Sequence, residues 1–313
     1  MSAAPDDFDA SDEADAPPYP LWPVETLDLN RLTLAVRHAE ATEAGSEPAL
    51  MVHGLGGASH NWTDLMGLLR DRLDSRAPDL PGFGLSPPPD DGDYSIAGHA
   101  RAVVRLIEED NRGPVHLFGN SLGGAVSTYV AARRPDLVRS LVLVSPALPD
   151  LKPRPFSTQV ALLGLPGVNG VAAGRLRRLT PEQRVQGVLD LCYGDPSAVA
   201  PDRFAEAVRE TERRMKLAYA EDALMRSTKG ILEAYLTRGP RNLWRLAAQV
   251  QAPTLLLYGA RDRLVDARMG QRAARTFPNA RVVLLPRAGH VAMMENPELT
   301  AHFVREHLAR AGL

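Results

Sequence analysis

"HLFGNSLGGAVSTYV", residues 116–130, runs from an apolar stretch through a cluster of small residues into a helical pattern. One hydroxyl, Ser121, stands where the pattern changes, and Gly119-Asn120-Ser121-Leu122-Gly123 fits the spacing G-x-S-x-G. The spacing has a mechanical cause. A sharp strand-to-helix turn puts its central residue in a strained backbone conformation, and small residues two before and two after it keep helix and strand from colliding. Gly124 adds clearance. The turn also leaves the Ser121 oxygen near the positive end of the following helix, where developing negative charge is favoured. A five-residue match by itself describes a helix-capping serine beside packing glycines equally well. The rest of the chain has to decide between cap and nucleophile.

On either side of this stretch, from about residue 27 to 147, short apolar runs alternate with amphipathic segments. "LDL" and "LTLAVRHAE" form a hairpin across Asn30-Arg31, and "PALMVHG", "SRAPDLPG", "PVHLFGN" and "VRSLVLVSP" read as further strands. The segments "NWTDLMGLLRDRL" and "SIAGHARAVVRLIEED" between them read as helices, the second capped by Ser95. Strands apolar on both faces and separated by helices predict a mostly parallel sheet covered on both sides, an α/β fold. From about Asp150 to Pro240 the alternation stops in favour of helical or loop-like text. It resumes with "RNLWRLAAQV", "PTLLLYGA", "VDARMGQRAARTF", "ARVVLLPRAG" and "PELTAHFVREHLARAG". The middle segment is therefore an insertion in one domain.

Composition narrows the partners. The 313 residues carry 36 Lys and Arg against 38 Asp and Glu, with no basic block of the kind that tracks phosphates, so nucleic acid is not an expected partner. The single cysteine, Cys192, excludes an internal disulfide framework and reads as a small buried hydrophobe, and no Cys/His cluster has zinc-site spacing. Residues 1–24 read as a disordered acidic tail, without the apolar core of a secretory signal, which predicts a cytoplasmic protein. "FSTQVALLGLPGVNGVAAGRLRRL", apolar then basic, is read as helices packed on the main domain, with Arg175, Arg177 and Arg178 in water, in preference to a membrane contact.

A serine hydroxyl is a poor nucleophile unless a base takes its proton and an acid orients that base. Of eight histidines, His290 alone follows a late strand in a loop, "VVLLPRAGHVAMMENP". His116 lies inside a strand and reads as a satisfied core residue, while His302 and His307 fall on the terminal helix and read as solvated. His38, His60 and His99 have no companion motif. "TLLLYGARDRLVD" supplies Asp262 just after a strand, giving the order Ser, Asp, His; Asp266, the rival, reads as the first turn of the next helix. The glycine-rich "MVHGLGG", residues 51–57, can turn amides inward. Leu55 and Leu122 are the candidate oxyanion donors, with Gly56 in reserve and His53 bracing the loop. "DLPGFGLS" lacks the third glycine and helix start of a dinucleotide site and reads as a tight turn.

In this order, "HGLGG", "DLPGFGLS", "GNSLGG", "GARDRLVD" and "AGH" resemble the α/β-hydrolase superfamily over residues 25–312. The resemblance implies an α/β-hydrolase fold: a mostly parallel eight-stranded sheet flanked by helices, with a helical cap inserted after strand 6. On that reading the core is 25–147 with 243–313, and the cap is 148–242. It also implies Ser121 as nucleophile, Asp262 as acid and His290 as base, with Leu55 and Leu122 at the oxyanion hole. A serine at the elbow argues against the haloalkane dehalogenases and epoxide hydrolases, which use aspartate there. "GNSLGG" looks like the nucleophile segment of meta-cleavage product hydrolases, which cut carbon–carbon bonds. Those enzymes have a GGGPG-like oxyanion loop and a tryptophan after the histidine, where this chain has "HGLGG" and Val291. It looks more similar to the carboxylesterase and lipase-like group. The implied activity is hydrolysis of a small or lipid-like ester through an acyl-enzyme, needing no metal or organic cofactor. Carbon–carbon hydrolysis, acyl transfer or thioester cleavage, and non-catalytic ligand binding are the alternatives. Leu224, Met225 and Leu232 are candidate substrate contacts.

Overall fold

The computed structural model describes residues 2–3, 19–150 and 178–312. Most of the acidic tail and of the apolar-then-basic stretch, with Arg175 and Arg177, lies outside the described residues; Arg178 is exposed. The strands are Ser2–Ala3 (β1), Val24–Asp28 (β2), Thr33–Ala39 (β3), Glu47–Val52 (β4), Leu73–Pro78 (β5), Val115–Asn120 (β6), Val138–Val144 (β7), Thr254–Gly259 (β8) and Ala280–Leu285 (β9). They form one sheet in the order β1-β9-β8-β7-β6-β4-β5-β3-β2. Only the β2–β3 and β3–β5 pairs are antiparallel. The expected eight strands are β2 to β9, and the two-residue β1 adds a parallel edge pairing, Ser2 with Val283 and Ala3 with Leu284.

The strand residues explain this arrangement. Every residue of β6 and of β8 is buried, as required of parallel strands covered on both faces. Alternate residues feed two cores. Leu50, Val52, Leu117, Leu141 and Leu256 face one side, while Ala49, Met51, Phe118, Val142 and Leu257 face the other with Trp62. The leading hairpin turns through Asn30 (φ 51°) and Arg31 (φ 66°), with the Leu29 amide donating to the Leu32 carbonyl at 2.7 Å. Two successive left-handed residues match the twist of the strands they join.

Ten helices are described: Thr63–Leu68 (α1), Ile96–Asp110 (α2), Leu122–Arg133 (α3), Pro181–Cys192 (α4), Pro201–Met215 (α5), Ala220–Leu236 (α6), Leu243–Ala247 (α7), Met269–Thr276 (α8), Ala292–Glu295 (α9) and Pro297–Arg310 (α10). The Ser95 hydroxyl caps α2 by accepting from the Gly98 amide at 3.1 Å. Helices α4 to α6 follow β7, the sixth of the eight principal strands, and no strand occurs among the described residues 178–242. Among the described residues, no helix is long and apolar enough to cross a membrane.

Three expectations need correction. The helix read over 61–73 is a 3-10 turn at Ser59–Trp62 followed by the short α1, because the chain must enter β5 at Leu73. Residues 19–23, read as the end of the tail, pack on the domain. Trp22 Nε1 donates to the Thr63 carbonyl at 2.9 Å, Arg37 donates to the Trp22 carbonyl at 2.6 Å, and Arg70 lies over the indole. His302 is exposed, but His307 is buried with Thr300, Phe303, Val304 and Leu308 on the inner stripe of α10. Burial pushes its pKa down to about 4.

Candidate active site

The turn from β6 into α3 is tight for reasons visible atom by atom. A Cβ at Gly119 would strike the Gly123 carbonyl, one at Gly123 would strike the Val52 and His53 carbonyls, and one at Gly124 would lie 2.7 Å from Pro146 Cβ. Helix α3 thus sits directly on the ends of β4 and β6. Ser121 pays for this with φ 51° and ψ −114°, a conformation that costs a residue bearing a Cβ roughly 1–3 kcal/mol. Its amide donates to the Val144 carbonyl at 3.1 Å, and its carbonyl accepts from Ala125 at 3.1 Å and Ala147 at 2.9 Å. Residues 115–120 and 122–128 are all buried, whereas Ser121 between them is half-exposed. The side chain makes no capping hydrogen bond to its helix. The geometry therefore departs from that of a helix-capping serine.

His290 and Asp262, 28 residues apart in sequence, meet at the ends of β9 and β8. His290 Nδ1 donates to Asp262 Oδ2 at 2.8 Å with both side chains buried, so Nε2 is the ring nitrogen left to act as a base. Asp262 Oδ1 accepts from the Leu264 amide at 2.8 Å and the Val265 amide at 2.9 Å, which fixes the carboxylate. Burial pushes the Asp262 pKa up, but His290 and the Val265 amide help to outweigh it, and the net direction is down. Asp266 accepts from the Arg268 amide at 3.0 Å. It lies just before α8 instead of in its first turn.

Asn120 joins the histidine loop to the elbow. Its Nδ2 donates to the His290 carbonyl at 3.0 Å and to the Val144 carbonyl at 3.1 Å. No motif in the sequence gives it a role, although a polar residue in a fully buried run needs partners. Glu295 was missed as well; its carboxylate accepts from the Gly289 and Val291 amides that flank His290. Neither has a motif of its own.

The 53–57 loop closes the other side. A Cβ at Gly54 would lie 2.8 Å from Asn120 Oδ1 and 3.2 Å from Ser121 Cβ, so this loop, carrying Leu55 and Gly56, abuts the elbow. His53 braces it: Nδ1 donates to the Gly54 carbonyl at 2.8 Å and Nε2 accepts from the Leu80 amide at 2.9 Å. Burial lowers its pKa to about 4, keeping the ring neutral in the form this bracing requires. Leu122 begins α3, where a backbone amide has no intrahelical acceptor. "DLPGFGLS" is the expected turn, with Gly82 and Gly84 at positive φ and the buried Asp79 carboxylate accepting from the Ser59 and Leu85 amides. Above the loop, Arg214 of α5 donates to the Gly56 carbonyl at 2.5 Å, and Leu224 Cδ1 of α6 would touch a Cβ at Gly56 at 3.4 Å. Met225 and Leu232 are half-buried.

The other candidates are structural. His116 is held by Ser140 at 2.8 Å and Glu47 at 2.6 Å, the satisfied core residue expected. His99 is buried against Ser227 at 3.1 Å. Cys192 is half-buried, its thiol pushed up to about 12 chiefly by burial. Among the described residues, no group of three or more His, Cys, Asp or Glu could hold a metal ion.

A strained serine at a strand-to-helix elbow, joined through Asn120 to a strand-end loop that carries a bonded Asp–His pair, defines a class of parallel-sheet hydrolase. Residues 48–297 match the family model described as the alpha/beta hydrolase fold, and the chain belongs to that family. Lipase 1 of Psychrobacter immobilis is 28% identical over 280 residues, covering 88% of this chain and 82% of that protein. Human monoacylglycerol lipase ABHD6 is 29% identical over 269 residues, covering 85% and 76%. The solved structure of the meta-cleavage product hydrolase CumD from Pseudomonas fluorescens IP01 superposes with a TM-score of 0.73 at 17% identity, covering 93% of this chain and 98% of that one. At that identity the likeness is one of fold.

Proposed function

We propose that this hydrolase cleaves carboxylic ester bonds of a small or lipid-like substrate through an acyl-enzyme. The observation that carries the reading is the buried His290 Nδ1 to Asp262 bond beside an elbow whose serine is strained and accessible. His290 Nε2 takes the Ser121 proton as Oγ attacks the ester carbonyl, and Asp262 stabilises the imidazolium. The tetrahedral oxyanion is met by the amides of Leu122 and Leu55. His290 then protonates the departing alcohol, and a water activated by the same ring releases the acid. The 148–242 region serves as a cap over the core formed by 25–147 and 243–313, and Leu224 places apolar surface above the loop that binds the oxyanion. Two lipases among the relatives favour ester substrates over the carbon–carbon alternative.

The test is hydrolysis of p-nitrophenyl esters from acetate to palmitate by wild type and Ser121→Ala. Turnover that vanishes in the variant supports the reading. An inert wild type that also resists a fluorophosphonate at Ser121 sinks it, and turnover only on a ring-opened dienoate moves the assignment to carbon–carbon hydrolysis.

A further inference from the structure

The amides of Gly289, His290 and Val291, three in succession around the candidate base, all have acceptors. The His290 amide donates to the Cys192 carbonyl at the end of α4 at 2.6 Å. The Gly289 amide reaches both Glu295 oxygens, at 2.9 and 3.0 Å, and the Val291 amide reaches Oε1 at 3.3 Å. The same carboxylate accepts from the Gly194 amide, beyond α4, through Oε2 at 2.6 Å. One half-buried side chain therefore holds the residues before and after His290 and ties them to the inserted helical segment.

The packing around this carboxylate is backbone on backbone. A Cβ at Gly289 would lie 2.5 Å from the Gly194 nitrogen, one at Gly194 would strike the Arg287 carbonyl, and one at Gly259 would strike the Gly289 carbonyl. No side chain fits between these strands of chain, so their relative position is set by hydrogen bonds. All donors to Glu295 are N–H groups, which an ionised carboxylate can accept and a protonated or amide group can only partly accept. Burial raises the Glu295 pKa against the pull of those amides, which favour the ionised form. A residue serving only to cap the four-residue α9 would need neither the charge nor the Gly194 contact.

We propose that Glu295 is a positioning residue for His290, a half-buried carboxylate that holds the base's loop in register with the segment after α4. This rests on the ester-hydrolase reading for its kinetic test, and the spectroscopic test stands apart from it. The variants are Glu295→Gln, nearly isosteric, and Glu295→Asp, which keeps the charge on a shorter stem. With p-nitrophenyl butyrate, Glu295→Gln is expected to keep the wild-type fold and KM while kcat falls about 10- to 100-fold, the scale of a base misplaced by an ångström or less. Glu295→Asp should recover part of that loss. The downfield proton resonance of the His290–Asp262 hydrogen bond, read by NMR without substrate, should shift or broaden in Glu295→Gln.

Unchanged kcat with an unchanged resonance would overturn the assignment. So would a loss of activity that follows melting temperature equally in both variants. A wild type that hydrolyses no ester and takes no fluorophosphonate would defeat the ester reading, and the resonance would still decide the role of Glu295.

Discussion

The two halves of the candidate site are held in different ways. Around Ser121, Asp262 and His290 the chain is buried and backbone-packed: β6 and β8 have no exposed residue, and glycines at 119, 123 and 259 let main chain meet main chain. The inserted helices join apolar packing, with Val185 and Leu189 buried in the second core, to long polar reach. Arg203 bonds Asp64 and the Tyr19 carbonyl, Arg213 bonds the Gly84 carbonyl, Arg214 bonds the Gly56 carbonyl, and Ser227 meets His99. Helix α5 has no fully buried residue at all. The difference teaches where tolerance lies. The elbow and the strand ends beside it rest on packing that admits no added atom, and the inserted segment adds long side chains to its apolar contacts.

The comparison breaks most visibly at the acid. Asp262→Asn is expected to lower kcat by about 10,000-fold with the fold intact, because the amide favours the wrong tautomer of His290. Ester kinetics together with circular dichroism would check it, and near-wild-type turnover would remove Asp262 from the site.

Next in size is acid lability of the core loops. His53 has its ordinary pKa of 6.5 lowered to about 4 in the folded state, so between those values the unfolded chain binds a proton that the native protein does not. Stability is therefore lost as pH falls through that window, by about 3 kcal/mol from His53 alone. His307, also lowered to about 4, adds in the same direction. Urea unfolding across the window should show a shallower pH dependence in His53→Gln, and identical slopes would disprove the account.

Gly123→Ala comes third, at roughly 1–3 kcal/mol of destabilisation, because its Cβ would meet the Val52 and His53 carbonyls. A chemical denaturation midpoint equal to wild type would show that the elbow can relax.

The inserted helices should respond weakly and selectively. Leu224→Ala is expected to shift the preferred acyl chain length by about tenfold in relative kcat/KM while sparing acetate hydrolysis. Val188→Ser, at a position 57% exposed on α4, should change stability by no more than about 0.5 kcal/mol. A large effect of Val188→Ser, or none of Leu224→Ala on chain length, would erase the distinction between the two halves.

Much of the core was readable because its signals are local. Continuous apolar runs mark β6 to β9, Asn30-Arg31 marks the hairpin, and the glycines about Ser121 mark an elbow whose cause is steric. Asp262 is legible over Asp266 from its place after a strand, and it is Asp262 that lies in hydrogen-bond contact with His290. What escaped was set by partners remote in sequence. His307 is buried because α10 turns its 300, 303, 304, 307 and 308 stripe inward, a periodicity present in the sequence but easy to override with a polar side chain. Trp22 packs because Thr63 and Arg70 are there to receive it.

By itself, then, the sequence determined the strand and helix alternation, the strained serine and the order of the catalytic candidates, since backbone sterics and hydrophobic periodicity act over a few residues. Only the tertiary structure decided that Asn120 joins the elbow to the His290 carbonyl across 170 positions and that Glu295 joins Gly289 and Val291 to Gly194. A buried polar group must find partners somewhere, but which distant amide or carbonyl it finds depends on how the folded strands and loops are placed.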